Sequence, residues 1–311
     1  MVSYPQKIGV REHFLRRYSR RVVVRAWNYY QLTKPGLTAL VVVTVFPGFY
    51  LACTGSINWQ ILSLAFLGTA LSAGGSCALN MYVERDADAR MKRTQNRPIV
   101  SGRISAQEGF WVGLILVSAG AGVLALWVNL LTAALSLLAS FTYIFLYTPM
   151  KRRSPLATFV GAVPGALPPM MGYTAVTGHI GVEAWIVFAI LFFWQLPHFW
   201  ALALLFGDDY ARGEFHVRPQ HIELLMILAS LVLTAVSLML CVWGHAGTVY
   251  AIGALALGIL MVIRAFRLYL QRTRESAFSV FYGSLIYLPA LIAILVLDRP
   301  SVLLLTLGIK R

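Results

Sequence analysis

The chain has 311 residues, of which 59% are hydrophobic and only 38 are charged, 26 Lys and Arg against 12 Asp and Glu. Soluble domains carry about 25% charged residues, so disorder, a secreted disulfide scaffold and a water-soluble α/β enzyme are all excluded. A mean hydropathy of +0.72 points instead to a multi-pass membrane protein. The net charge of +14 would suggest a nucleic-acid partner in a soluble protein. In a membrane protein Lys and Arg gather in cytoplasmic loops and set orientation, so no nucleic-acid partner is expected.

Residues 1–33 read as a basic cytoplasmic arm carrying Lys7, Arg11, Arg16, Arg17, Arg20, Arg21 and Arg25, with Lys34 at its end counted among its charges and Glu12 as its one acid. Its composition suits a mitochondrial transit peptide or a juxtamembrane segment on anionic lipid, and the second reading is preferred. The arm's shortness favours a bacterial inner membrane. Residues 34–311 then form a single transmembrane domain. Crossing the hydrocarbon takes about 20 mostly apolar residues. Nine stretches qualify: 36–54, 60–82, 107–127, 129–148, 156–177, 182–206, 222–243, 248–268 and 278–297. No short alternating segments of a membrane barrel are present, so an all-α bundle of nine transmembrane helices is predicted.

The charges support that count. Arg85, Arg90, Lys92, Arg93, Arg97 and Arg103 follow the second span; Lys151, Arg152 and Arg153 follow the fourth. Arg212 and Arg218 follow the sixth, and Arg264, Arg267, Arg272 and Arg274 surround the end of the eighth. The connections near 55–59, 128, 178–181 and 244–247 hold no Lys or Arg. Every second loop is basic, as nine spans with a cytoplasmic N-terminus require. Cys53, Cys77 and Cys241 have no metal-ligand or redox spacing and read as small buried hydrophobes.

Six of the twelve acids fall at two cytoplasmic helix ends: Glu84, Asp86 and Asp88 after the second span, and Asp208, Asp209 and Glu214 after the sixth. If the second span continues as a helix, Asn80, Glu84 and Asp88 lie at i, i+4 and i+8 on one face. Magnesium is commonly held by one or two carboxylates plus substrate phosphates, and Arg93, Arg97 and Lys151 stand ready for the remaining phosphate oxygens. The plainer alternative is local salt bridging, Glu84 with Arg85 or Asp88 with Lys92. Asp86 lies off the shared face and reads as accessory.

These residues resemble the first signature of the UbiA superfamily of intramembrane prenyltransferases. Further stretches resemble the haem O synthases (protohaem IX farnesyltransferases) within it: Y-Y-Q-L-T-K-P at 29–35, M-K-R-T-Q-N-R-P at 91–98, Y-T-P-M-K-R-R-S-P at 147–155, G-A-L-P-P-M-M-G-Y at 165–173, W-Q-L-P-H-F-W-A-L-A-L at 194–204 and D-D-Y at 208–210. The resemblance implies a UbiA-like bundle with a central cavity capped by cytoplasmic loops. It implies transfer of farnesyl from farnesyl diphosphate to a vinyl group of haem b, with magnesium as cofactor and haem as substrate. A haem A synthase or terminal oxidase assembly becomes the expected partner, beside the membrane lipids. Carried over residue by residue, Asn80, Glu84 and Asp88 match the first metal–diphosphate motif, and Asp208 and Asp209 match the second. Glu84, Asp88, Asp208 and Asp209 are the expected metal ligands; Arg93, Arg97, Lys151, Tyr147 and His198 are the expected substrate contacts. The chain departs from the family at Glu84, where Asp is usual, and after Asp209, where A-R-G-E-F-H-V-R-P brings His216 and Arg218 to apolar or proline positions.

His198 follows Pro197 inside the sixth span, and an ionisable residue there is a functional candidate. It suits haem iron, a haem propionate, or a carbonyl freed by the kink of its own helix. The rival readings of the whole chain are prenyl transfer to an aromatic quinone precursor and a non-catalytic haem-binding assembly protein. A transporter would place its charges near the midplane rather than at helix ends.

Overall fold

The computed structural model describes residues 23–216, 218–299 and 305–306. Most of the basic arm, including the lipid-lying segment predicted there, falls outside the described residues. Among those described, every regular element is helical. A helix α1 over 23–32 precedes α2 (Pro35–Val43), α3 (Val45–Ala52), α4 (Trp59–Arg90), α5 (Ala106–Trp127) and α6 (Leu130–Phe141). A π-helical stretch, Thr142–Tyr147, leads into α7 (Thr148–Met150). Then come α8 (Ala157–Thr177), α9 (Val182–Leu205), the short α10 (Gly207–Arg212), α11 (Ile222–Val242), α12 (Thr248–Gln271) and α13 (Arg274–Asp298).

Among the described residues, eight segments are long and apolar enough to cross a membrane, including Pro35–Ala52, which joins α2 to α3, and Leu130–Met150, which joins α6 to α7. The chain is an integral, multi-pass membrane protein. The predicted span 156–177 forms the 21-residue α8, but it is too polar to count among the eight. Three internal prolines, Pro164, Pro168 and Pro169, explain its character: each removes a backbone donor, and surrounding helices must satisfy the freed groups. Gln195 of α9 bonds across to α8, donating from Nε2 to the Ala162 carbonyl at 3.2 Å.

Close backbone approaches assemble the bundle. On α4 and α5, Gly68 and Gly75 face Gly120 and Gly113, so that a Cβ on Gly75 would stand 2.6 Å from the Gly113 carbonyl and one on Gly113 2.9 Å from the Gly75 carbonyl. On α3 and α8 the contact is tighter still, with a Cβ on Gly172 falling 1.9 Å from the Val45 carbonyl. Lipid tails are as apolar as leucine, so small residues that let backbones meet are what hold membrane helices together. The second half packs differently, around the large buried side chains Trp200, Met226, Tyr250 and Tyr287 of α9, α11, α12 and α13.

The two ends of the bundle differ. Trp59, Trp127, Trp185 and Trp243 lie exposed at one end, at the start of α4 and α9 and the finish of α5 and α11. That ring is the amphipathic girdle expected where hydrocarbon meets water. The opposite end is polar. α4 has 32 residues; at a rise of 1.5 Å each it is about 48 Å long, well beyond the ~30 Å hydrocarbon core. Its last turns therefore project into the polar end and carry the acids there.

Candidate active site

Asn80, Glu84 and Asp88 are all buried on the inner face of α4. Each meets a cation from a different part of the chain. Asn80 accepts through Oδ1 from Lys34 Nζ at 2.8 Å and donates through Nδ2 to Thr148 Oγ1 at 3.1 Å. Glu84 pairs with Lys151 Nζ at 2.7 Å, and Asp88 pairs with Arg97. The local pairings considered from sequence do not form: Arg85 turns away to Asp86 at 3.9 Å, and Asp86 is exposed. The other carboxylate oxygen of Asp88, Oδ1, is buried without a hydrogen-bond partner.

Local structure explains these placements. Lys34 precedes Pro35 and adopts a left-handed conformation (φ 46°, ψ 64°) that turns the chain from α1 into α2. The turn after α4 is fastened by Thr94 Oγ1 donating to the Asp88 carbonyl at 2.9 Å, which brings Arg97 back over Asp88. Thr142 Oγ1 donates to the Leu138 carbonyl at 2.7 Å where the π-helical stretch begins. That stretch widens the turn so that Tyr143, Tyr147 and Lys151 all face inward, as π-bulges often do at functional sites. Lys151 Nζ stands 4.4 Å from the Tyr147 ring centroid.

These groups line a polar cavity of about 100 Å³. Lys34, Arg93, Arg97 and Lys151 face Glu84 and Asp88 there, four cations against two carboxylates, a net of +2. The cations differ in readiness. Burial, with Arg97 nearby, pushes the Lys34 ammonium down to about 8. Burial also opposes the charge on Lys151, but Glu84 and Tyr147 outweigh it and raise its pKa. Directly behind lies an apolar cavity of about 250 Å³ that shares Tyr143, Tyr147, Lys151 and Phe199 with the polar one and runs on among Leu37, Val41 and Pro168. A charged chamber thus opens onto a greasy one, the shape required by an amphiphile with an anionic head and a hydrocarbon tail.

Of the residues singled out from sequence, the polar cavity gathers Asn80, Glu84, Asp88, Arg93, Arg97, Tyr147 and Lys151. Asp208 and Asp209 are not among them. They sit on α10 and line a separate, open cavity of about 660 Å³ with Arg212, Arg218 and Arg272, and Asp209 pairs with Arg212 at 3.0 Å. Their neighbour Tyr210 does reach the polar cavity. His198 faces α13, and its Nδ1 lies 2.9 Å from Ser284 Oγ rather than against a carbonyl of its own helix. Sequence reasoning overlooked Lys34, counted with the arm's surface charge; a lysine wedged before a helix-starting proline was the available signal. Tyr143 and Phe215 were also missed, and nothing in their spacing marks them, whereas Tyr210 stands in the D-D-Y stretch and was passed over for its acids.

The donor set fits a hard divalent ion. Among the described residues no three His, Cys, Asp or Glu side chains cluster as a metal site, yet two carboxylates and an amide on one helix face, with Asp88 Oδ1 buried and unpartnered, suit magnesium completed by phosphate oxygens.

Known proteins agree with this geometry. The model of the UbiA prenyltransferase family matches residues 41–292. A protoheme IX farnesyltransferase of Solibacter usitatus is 38% identical over 289 residues, covering 88% of this chain and 99% of that protein. Its counterpart in Anaeromyxobacter dehalogenans is 41% identical over 273 residues, covering 86% and 92%. Among solved structures, a digeranylgeranylglyceryl phosphate synthase superposes with a TM-score of 0.74 at 14% identity, covering 89% of this chain and 99% of that one. A UbiA homologue from Archaeoglobus fulgidus, bound to GPP and Mg2+, gives 0.62 at 14% identity, covering 86% and 99%. The chain belongs to the UbiA prenyltransferase family, on the branch of the protoheme IX farnesyltransferases.

Proposed function

We propose that this protein transfers the farnesyl group of farnesyl diphosphate to a vinyl group of haem b, adding water and releasing diphosphate. The observation that carries the reading is the pair of joined cavities, one holding four cations beside Glu84 and Asp88, the other apolar and deep. The names of the relatives support the choice of acceptor.

Lys34, Arg93, Arg97 and Lys151 bind the diphosphate oxygens, and the apolar cavity takes the prenyl chain. Asn80, Glu84 and Asp88 hold magnesium; when bound it neutralises part of the phosphate charge and so assists departure of the leaving group. The C1–O bond breaks with its electron pair going to diphosphate, and the cations that already surround that charge stabilise it as it develops. The allylic cation is attacked by the terminal vinyl carbon of haem. Water adds to the resulting cation and loses a proton, which leaves a hydroxyl. The apolar walls keep water from the allylic cation until the new carbon–carbon bond has formed. Tyr147 stacks on Lys151 and holds it over the diphosphate. Asp208 and Asp209, which line a separate cavity, would add to the metal's ligands were α10 to turn them toward Asp88 when substrate binds.

The same reading assigns the polar end to the cytoplasm of a bacterial inner membrane, with nine membrane passages once α8 is included. A haem A synthase or the assembly line of a terminal oxidase would receive the product. The test is direct. Membranes containing the protein are incubated with haem b, farnesyl diphosphate and magnesium, and mass spectrometry looks for farnesyl-hydroxyethyl haem. Product that disappears on adding EDTA is expected, as is a loss of at least about a hundredfold (~2.7 kcal/mol) in Glu84→Gln and Asp88→Asn. A prenylated aromatic with no haem product would replace this acceptor by a quinone precursor.

A further inference from the structure

His198 has a neighbourhood that packing alone does not call for. Its ring stacks with Trp194 (centroids 5.2 Å apart, planes 17° apart) and with Phe281 (5.0 Å, 28°). One edge is spoken for: Nδ1 lies 2.9 Å from Ser284 Oγ. The direction of that bond follows from a second contact. Ser284 Oγ is 2.6 Å from the Phe281 carbonyl oxygen, and two oxygens that close need a hydrogen between them. The only hydroxyl hydrogen of Ser284 is therefore donated to Phe281, and Ser284 accepts from His198 Nδ1–H. The Ser284 carbonyl in turn accepts from Trp194 Nε1 at 2.7 Å, which fixes the covering indole. The tautomer is set: Nδ1 carries the proton, and Nε2 keeps its lone pair with no protein partner among the described residues. A neutral imidazole held by a bond at one nitrogen, with the other nitrogen bare, is the arrangement that metal-ligating histidines show.

The ring is half-buried, and it stands beside an opening. α13 packs on α12 and α9 and makes no substantial contact with α2. At the tryptophan-ringed end the first and last spans are fastened, with Tyr50 Oη donating to the Arg299 carbonyl at 2.6 Å and Arg299 Nη1 to the Leu51 carbonyl at 3.2 Å. Towards the polar end they part, and Leu37, Leu40, Tyr282, Leu285 and Ile286 are exposed there. His198 stacks on Phe281 of α13, and the next residue along α9, Phe199, lines both cavities, the apolar one together with Leu37 and Val41 of α2.

We propose that His198 Nε2 ligates the iron of the acceptor porphyrin, and that Ser284 is the positioning residue that holds the ligating tautomer. The inference rests on the acceptor reading given above. Iron at Nε2 brings the porphyrin rim to the flank of α9 occupied by Phe199, beside the chamber that takes the prenyl tail.

The experiment is a titration of the purified full-length protein in detergent with ferric haem b, read by Soret absorption and electron paramagnetic resonance. Wild type gives the signature of imidazole-ligated iron. His198→Gly loses that signature and regains it when free imidazole is added, which also shows that the variant is folded. Metal-free protoporphyrin IX, read by quenching of tryptophan fluorescence, binds equally to both. Ser284→Ala weakens haem binding by about tenfold and Ser284→Thr restores it. An unchanged iron signature in His198→Gly overturns the inference, and so does an equal loss of haem and metal-free porphyrin that imidazole does not repair. If wild type farnesylates haem while either of those results holds, only the ligand assignment falls. If wild type farnesylates no haem, the acceptor reading falls with it.

Discussion

The ion pair between Lys151 and Glu84 permits a test of structure and chemistry together. Its side chains are 12% and 6% exposed, and the contact is 2.7 Å. Replacing Lys151 with Met takes the nearest cation from the buried Glu84 carboxylate, and Glu84→Gln takes the carboxylate from the buried ammonium. Breaking a buried pair costs 3–5 kcal/mol; because these groups line a cavity, the lower bound applies, about 3 kcal/mol for each single variant. The double variant Lys151→Met/Glu84→Gln removes both halves of the pair and should cost no more than either single change, a coupling of about 3 kcal/mol. Equilibrium unfolding in mixed micelles measures all four proteins. Turnover should be lost in every variant, since neither half of the pair can be spared at the diphosphate. Additive losses, within about 0.5 kcal/mol, would refute the buried pair as drawn. A double variant that recovers both stability and activity would refute its part in the reaction.

Lys34 gives a pH dependence. Its ammonium titrates at about 8, so the charge that binds phosphate is present below that value and lost above it. In metal-free protein the affinity for pyrophosphate, measured by calorimetry, should fall as pH rises through this range relative to Lys34→Arg, which stays charged. Gly172→Ala should separate α3 from α8, since its Cβ would stand 1.9 Å from the Val45 carbonyl; an overpacking cost of about 1–3 kcal/mol is expected in the same unfolding assay. Asp208→Asn and Asp209→Asn should each lower turnover by at least about tenfold (1.4 kcal/mol) if α10 brings them to the metal. Unchanged turnover in both would remove them from the site.

The sequence made the helices legible because their length and apolarity are local properties. The span predicted at 60–82 begins within a residue of α4, and the i, i+4, i+8 face of Asn80, Glu84 and Asp88 survives because the helix runs on to Arg90. Partner choice was not legible. Glu84 reaches across 67 residues to Lys151 rather than to adjacent Arg85, and only the tertiary arrangement decides that. The break of the first span at Thr44 did have a local signal, since Pro47 cannot donate to the Val43 carbonyl four residues back, and Pro149 likewise follows the π-helical stretch at Thr142–Tyr147. The predicted meeting of the two acidic clusters rested on both lying at one end of the bundle. They do share that end, but α10 turns Asp208 and Asp209 to a different cavity.

The glycine contacts between α4 and α5 have a mechanical consequence. Where backbone rests on backbone, as between Gly75 and Gly113, there is little side-chain bulk to repack, and the joint has little slack. α4 thus behaves as an anvil, and the acids on its final turns keep their places whether the chamber is full or empty. The long, jointed lysine and arginine arms around them supply the give. Tolerance for head groups of different size should therefore be tuned by exchanging basic residues, whereas moving an acid by a single methylene should be felt in full.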